Sequence, residues 1–181
     1  MSTKVEKVHV AFVLDKSSSM SNIGRESVDG FNERLKEIKE KNEDIPTNVS
    51  LVTFSTGVDS PILWEVPAED VDELRYDQYV PSGMTALYDA VGTTIDSLKQ
   101  LPDANDDNVA FIVVIISDGQ ENNSKEYING VIASKIKECE ESGAWTFTYL
   151  GANQDLAEVS KNIGIKHSNT MAFSANTSGV M

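Results

Sequence analysis

Residues 8–19 read Val-His-Val-Ala-Phe-Val-Leu-Asp-Lys-Ser-Ser-Ser, a nearly unbroken apolar run followed at once by a loop of acidic and hydroxyl side chains. An apolar run of this kind is typical of a strand that is covered on both faces of a sheet. Asp15, Ser17 and Ser19 follow where this strand emerges into a loop. Their oxygens can turn toward one point, which is the beginning of a cation site.

The rest of the chain alternates helices with strands. Apolar residues at intervals of three and four predict helices, and short apolar or alternating runs predict strands. In chain order the elements are a helix with Val28, Phe31, Leu35 and Ile38 on one face, strands at 49–54 and around 61–66, a helix with Leu87, Val91, Ile95 and Leu98, a strand at 109–116, a helix with Ile128, Val131, Ile132, Ile136 and Cys139, a strand at 145–150, a helix with Leu156, Val159 and Ile163, and a strand at 170–174.

This order predicts one α/β domain over residues 1–181, with a doubly wound, mostly parallel six-stranded sheet and helices on both faces. The connection at 55–57 is too short for a parallel crossover, so the strand around 61–66 should be an antiparallel edge strand. The run 109–116 is the most apolar in the chain and should be central.

Three loops should meet at the carboxyl end of this sheet, where ligands bind in doubly wound folds. They offer Asp15, Ser17 and Ser19 after the first strand, Thr85 before the second long helix, and Asp118 after the central strand. Two carboxylates and three hydroxyls are hard oxygen donors, and with waters they fill an octahedron. The alternative is that these side chains only cap helices and turns.

In order, spacing and strand context, these residues resemble the von Willebrand factor type A domain and its metal-ion-dependent adhesion site, Asp-x-Ser-x-Ser with a distant Thr and a distant Asp. The phrases Ser-Gly-Met-Thr-Ala-Leu-Tyr-Asp at 82–89 and Ile-Ser-Asp-Gly at 116–119 are similar to those of short, stand-alone microbial and phage members. The resemblance implies that Ser17, Ser19 and Thr85 coordinate an ion by hydroxyl oxygen. Asp15 and Asp118 are similar to the family aspartates, which often bind through water.

Such a site favours Mg2+, with Mn2+ as a substitute, over Ca2+, which prefers more ligands and more carboxylates. Because the hydroxyl ligands are neutral, the ion stays electrophilic and seeks an anionic ligand. The resemblance implies that a protein partner supplies it as a Glu or Asp carboxylate.

The formal net charge of −14 argues against binding of nucleic acid or anionic membranes. The N-terminus lacks a signal-peptide pattern, so we expect a cytoplasmic protein.

Two other functions stay open, a metal-assisted phosphohydrolase and a metal-free structural subunit of a larger assembly. Catalysis is not expected, because neither His9 nor His167 is placed to serve Ser17 or Ser19 as a base. Residues 103–108 imitate the start of a calcium-binding EF-hand loop but lack its glycine and its final glutamate, and they predict a solvated acidic loop. The single cysteine, Cys139, is expected to be buried.

Overall fold

A computed structural model of the chain describes residues 4–41, 43–118, 121–128, 130–152, 161–166 and 169–173. The strands are β1 (Lys7–Asp15), β2 (Thr47–Phe54), β3 (Leu63–Pro67), β4 (Val109–Ser117), β5 (Trp145–Ala152) and β6 (Thr170–Phe173). The longer helices are α1 (Gly24–Lys41), α2 (Leu87–Lys99) and α3 (Val131–Glu141). Short 3-10 helices cover Ser18–Ile23, Ala68–Asp70 and Tyr76–Gln78.

The strands form one six-stranded sheet in the order β3-β2-β1-β4-β5-β6. β1 pairs in parallel with both β2 and β4, and the edge strand β3 runs antiparallel to β2. This confirms the predicted doubly wound sheet with one antiparallel edge strand. β2 and β3 follow β1 toward one edge of the sheet, whereas β5 and β6 follow β4 toward the other edge. The strand order therefore reverses between β1 and β4. The reversal point is where such sheets bind ligands.

Helices cover both faces of the sheet, and alternate residues of each central strand pack against opposite layers. In β1, Val10, Phe12 and Leu14 join the apolar core beneath α1, whereas Ala11 and Val13 join the core beneath α2 and α3. A strand that is buried on both faces needs apolar side chains at every position. This explains the unbroken apolar runs in β1 and β4. The parallel pairing of the two strands, which extends to Leu14 and Ile116, holds their carboxyl ends beside each other.

The helix predicted to include Ile128 and Val131 on its buried face begins later than expected. α3 starts at Val131, and both residues are exposed, by 61% and 46% of their surface. The buried face consists of Ile132, Ile136 and Cys139, so the prediction for the cysteine is confirmed. The predicted spacing holds for these three residues, but Val131 at the start of the helix faces solvent, and the segment before it belongs to a loop that packs on α2.

Other boundaries differ by little. The predicted strand around 61–66 spans Leu63–Pro67. Leu156 and Val159 of the last predicted helix, and Ser174 of the last predicted strand, lie outside the described residues. Ile163 of that predicted helix is buried. In the part of the chain that the structure describes, no helix has both the length and the apolar character needed to cross a membrane.

β3 has an irregular backbone. Its pairing with β2 shifts register between Val49 and Leu51, which inserts one extra residue on the β3 side. Glu65 sits at this bulge with a φ of 56°, and its N–H donates to the hydroxyl of Ser50 (2.9 Å). The bulge turns the Glu65 carboxylate toward the buried ring of His9 in β1, 2.6 Å from Nδ1.

His9 connects β1 with β3 and with the loop at 103–108, at the end of the sheet opposite the predicted ion site. Its Nε2 lies 3.0 Å from both carboxylate oxygens of Asp103, which also pairs with Lys7 (2.9 Å). Burial lowers the pKa of His9, but the hydrogen bonds and charges of Glu65 and Asp103 outweigh it and raise the pKa above 6.5. The loop at 103–108 is therefore not wholly solvated as predicted, since Asp103 anchors it to β1.

Candidate metal centre at the carboxyl end of the sheet

Asp15, the last residue of β1, is fully buried and held by two hydrogen bonds. One carboxylate oxygen accepts the N–H of Ser17 (2.8 Å), and the other accepts the hydroxyl of Ser117 at the end of β4 (2.6 Å). The hydroxyl oxygens of Ser17 and Ser19 lie 3.2 Å apart, with Ser17 buried and Ser19 exposed. The first loop thus presents two adjacent hydroxyls beside a fixed carboxylate, with one side open to solvent.

The loop that carries Thr85 lies against this first loop. The N–H of Ser18 donates to the carbonyl of Gly83 (3.0 Å), and the N–H of Ser82 donates to the carbonyl of Lys16 (2.7 Å). Thr85 stands two residues after Gly83 and is 2% exposed. The structure therefore places the predicted second loop in backbone contact with the Asp-x-Ser-x-Ser segment.

Asp118 follows β4 directly and is half-buried. Burial raises the pKa of the Asp15 carboxyl, hydrogen bonds from Ser117 and Ser17 lower it in part, and the nearby charge of Asp118 raises it further. The charge of Asp118 therefore lies close enough to Asp15 to raise its pKa. Lys16, next to Asp15 in sequence, pairs with Asp59 (2.9 Å) instead.

Sequence reasoning missed Tyr79 at this site. Its hydroxyl donates to the backbone carbonyl of Asp15. Burial, followed by the charges of Asp15 and Asp118, raises the pKa of Tyr79, so the phenol stays protonated and keeps donating. A buried tyrosine usually finds such a partner, but its position 64 residues from Asp15 left no local signal in the sequence.

The donor set fits a hard divalent cation. Carboxylate and hydroxyl oxygens are the groups that Mg2+ accepts, and a cation would offset the repulsion between Asp15 and Asp118. Among the described residues, no group of three or more His, Cys, Asp or Glu side chains could hold a metal. A site made largely of serine and threonine hydroxyls is of a different kind, and it favours a hard cation over one that prefers imidazole or thiolate.

Of the two histidines, only His9 lies in the described part of the chain. It stands six residues before Asp15 along β1, which places it about 20 Å from the candidate centre at the rise of an extended strand. His167 lies outside the described residues. His9 is therefore too distant to act as a base for Ser17 or Ser19.

Several known structures share this fold, and one of them is described with a metal at such a site. Proximal thread matrix protein 1 from the mussel byssus is 18% identical, with a TM-score of 0.64, and the match covers 93% of this chain and 42% of that chain. A further structure of that protein has a zinc-occupied metal-ion-dependent adhesion site; it is 19% identical, with a TM-score of 0.61 and coverage of 95% and 42%.

The pilus adhesin SpaC from Lactobacillus rhamnosus GG, in its open conformation, is 15% identical, with a TM-score of 0.65, and the match covers 94% of this chain and 28% of that chain. The chain thus spans less than half the length of each of these solved proteins. No curated protein matches its sequence. The family model of the von Willebrand factor type A domain matches residues 9–180, so the chain belongs to that family.

Proposed function

We propose that the domain holds Mg2+ with Asp15, Ser17, Ser19, Thr85 and Asp118, and that it binds a protein partner whose Glu or Asp carboxylate completes the ion's shell. The observation that carries this proposal is the arrangement at the ends of β1 and β4. There a buried carboxylate, adjacent serine hydroxyls and a second carboxylate lie together. Domains of this family commonly bind metal at this motif and mediate protein interactions.

The choice of ion follows from the donors. Hydroxyl and carboxylate oxygens suit Mg2+ or Mn2+, and the set has too few carboxylates for a strong Ca2+ site. The zinc in the mussel protein supports occupancy by a divalent cation at the same motif. When bound, the ion supplies a positive charge at the surface, and the serine and threonine hydroxyls leave that charge available to an anion.

The type of partner follows from charge. The chain carries a formal net charge of −14, which disfavours approach to nucleic acid or an anionic membrane. A single carboxylate at the ion can still bind, because the attraction is local and the general repulsion is screened beyond about 8 Å at physiological salt. Binding rather than catalysis is proposed, since His9 is too distant to supply a base.

Calorimetric titration of the domain with Mg2+ and with Mn2+ tests the metal site. Ser18 offers a matched control, because it stands between Ser17 and Ser19 but lies outside the motif. We expect Ser17→Ala and Ser19→Ala to weaken Mg2+ binding roughly tenfold or more. Loss of a residue that only hydrogen-bonds to a metal ligand already costs about that much at other metal sites. Ser18→Ala should bind as the wild type does. Absence of binding, or equal effects of all three variants, would contradict the proposal.

Partner binding is tested by affinity capture with immobilised domain in Mg2+, in chelator, and with the Ser19→Ala and Ser18→Ala variants. A partner bound through the ion is retained by the wild type and by Ser18→Ala in Mg2+. It is lost in chelator and with Ser19→Ala. A protein that stays bound under all four conditions is held by some other surface.

A further inference from the structure

The segment 121–124 satisfies the free amides at the start of α2 from across the fold. The residue before this helix is Ala86, whose side chain cannot accept a hydrogen bond, although the first turn of a helix leaves backbone N–H groups unpaired. Amides of this region instead donate to side chains of the segment: Thr85 to Asn122 (2.9 Å), Tyr88 to Glu121 (3.1 Å) and Asp89 to Ser124 (2.9 Å).

The same helix returns hydrogen bonds to the chain that follows the segment. The carboxylate of Asp89 accepts the N–H groups of Lys125 (2.8 Å), Glu126 (2.9 Å) and Tyr127 (2.9 Å). Each element therefore satisfies backbone amides of the other. The paired groups lie about 35 residues apart in sequence, so the contact joins two loops that local structure alone would leave independent.

The segment 121–124 bonds both backbone polar groups of Thr85, the N–H and the carbonyl. Its N–H donates to the side-chain oxygen of Asn122 (2.9 Å), and its carbonyl accepts the backbone N–H groups of Asn122 and Asn123 (3.0 Å each). Asn122 alone bonds both polar groups of Thr85, because its side chain accepts and its backbone donates. It stands four residues after Asp118, the candidate ligand from the third loop.

We propose that Asn122 is a positioning residue for the metal centre, which fixes the backbone of Thr85 relative to Asp118 before any ion binds. This inference rests on the proposed function. An ion that binds between loops already joined loses less free energy in ordering them, as for other preorganised sites. Asn122 itself contributes no ligand in this arrangement.

The neighbouring Asn123 provides a control of the same residue type. Its side chain donates to the carbonyl of Thr56 (2.5 Å), so Asn123→Ala removes a loop contact without changing the side-chain bond to Thr85. Asn122→Ala removes that bond. Asn122→Asp keeps an acceptor oxygen at the same place and should restore the contact.

The experiment is calorimetric titration of wild type and the three variants with Mn2+, with amide hydrogen exchange measured without metal. We expect Asn122→Ala to bind Mn2+ about threefold to tenfold more weakly, from the usual net value of one hydrogen bond. Its Thr85 amide should exchange faster than in the wild type. Asn123→Ala should match the wild type in both measurements, and Asn122→Asp should regain slow exchange and bind at least as tightly as Asn122→Ala.

The outcomes separate this inference from the proposed function. If the wild type binds no Mn2+, both fail. If the wild type binds but Asn122→Ala and Asn123→Ala have equal affinities, only the role of Asn122 is overturned. A fall in unfolding free energy without a change in affinity would make Asn122 a purely structural residue, which also overturns the inference.

Discussion

The effect of Gly92→Ala on stability should depend on the residue at position 127. The substitution should destabilise the protein when Tyr127 is present and stabilise it when Tyr127 is replaced by alanine. Gly92 lies inside α2 and is buried. A Cβ built there would meet Cδ1 of the Tyr127 ring at 2.5 Å and Cγ at 2.6 Å. The ring cannot easily move away, because the backbone N–H of Tyr127 bonds Asp89 and its hydroxyl donates to Asp96.

Two opposing contributions set the magnitude for Gly92→Ala. Alanine in a helix interior is favoured over glycine by about 1 kcal/mol. Forcing an extra carbon into a close contact typically costs about 1–3 kcal/mol. The net result in the wild-type background should be a loss of up to about 2 kcal/mol. In a Tyr127→Ala background the collision is absent, so the same change should stabilise the protein by about 1 kcal/mol.

Urea denaturation of the wild type, both single variants and the double variant gives the four unfolding free energies of a double-mutant cycle. The expected coupling between the two positions is about 1–3 kcal/mol. Tyr127→Phe is a useful intermediate, because it keeps the ring but loses the bond to Asp96. Equal stabilisation by Gly92→Ala in all backgrounds would refute the packing described for Tyr127 on α2.

Two further predictions concern buried groups away from the candidate centre. The pKa of His9 is raised above 6.5, so its contribution to stability is complete below pH 6.5 and is lost as pH rises through the folded-state pKa. Unfolding free energies measured across this range should fall for the wild type relative to His9→Gln, and parallel profiles would contradict the pairing with Glu65 and Asp103. Burial raises the pKa of the Cys139 thiol, despite opposing effects of Lys99 and Lys135, so iodoacetamide should modify it slowly in the native protein and rapidly in denaturant. Rapid native alkylation, followed by mass spectrometry, would show that the thiol is accessible.

The central part of the fold could be predicted because its sequence signal is local. Burial on both faces requires the apolar runs of β1 and β4, and the short connection after β2 permits only an antiparallel partner. These two facts determine where the carboxyl ends of β1 and β4 meet. Asp15, Ser17, Ser19 and Asp118 lie at that meeting point because they end or directly follow the two strands. The role of these residues and of Thr85 as ligands stays a prediction.

Contacts between distant segments could not be predicted in this way. The side chains of Asn122 and Asp89 accept hydrogen bonds from backbone amides, which all residues except proline carry. The identity of the residue that donates therefore gives no signal in the sequence. One signal was present, since α2 begins after Ala86 rather than after a good capping side chain. His9 likewise meets carboxylates 56 and 94 residues away. The start of α3 was misplaced because Ile128 and Val131 continue its apolar spacing while lying exposed outside its buried face.

The bulge in β3 has a consequence for how the molecule meets other molecules. β3 forms one edge of the sheet, and an open edge can recruit a strand from another chain and begin aggregation. Here the edge strand has only five residues, its ladder is broken at Glu65, and it ends at Pro67, which has no N–H to donate. The feature that anchors β3 to β1 thus also protects this edge from further strand addition.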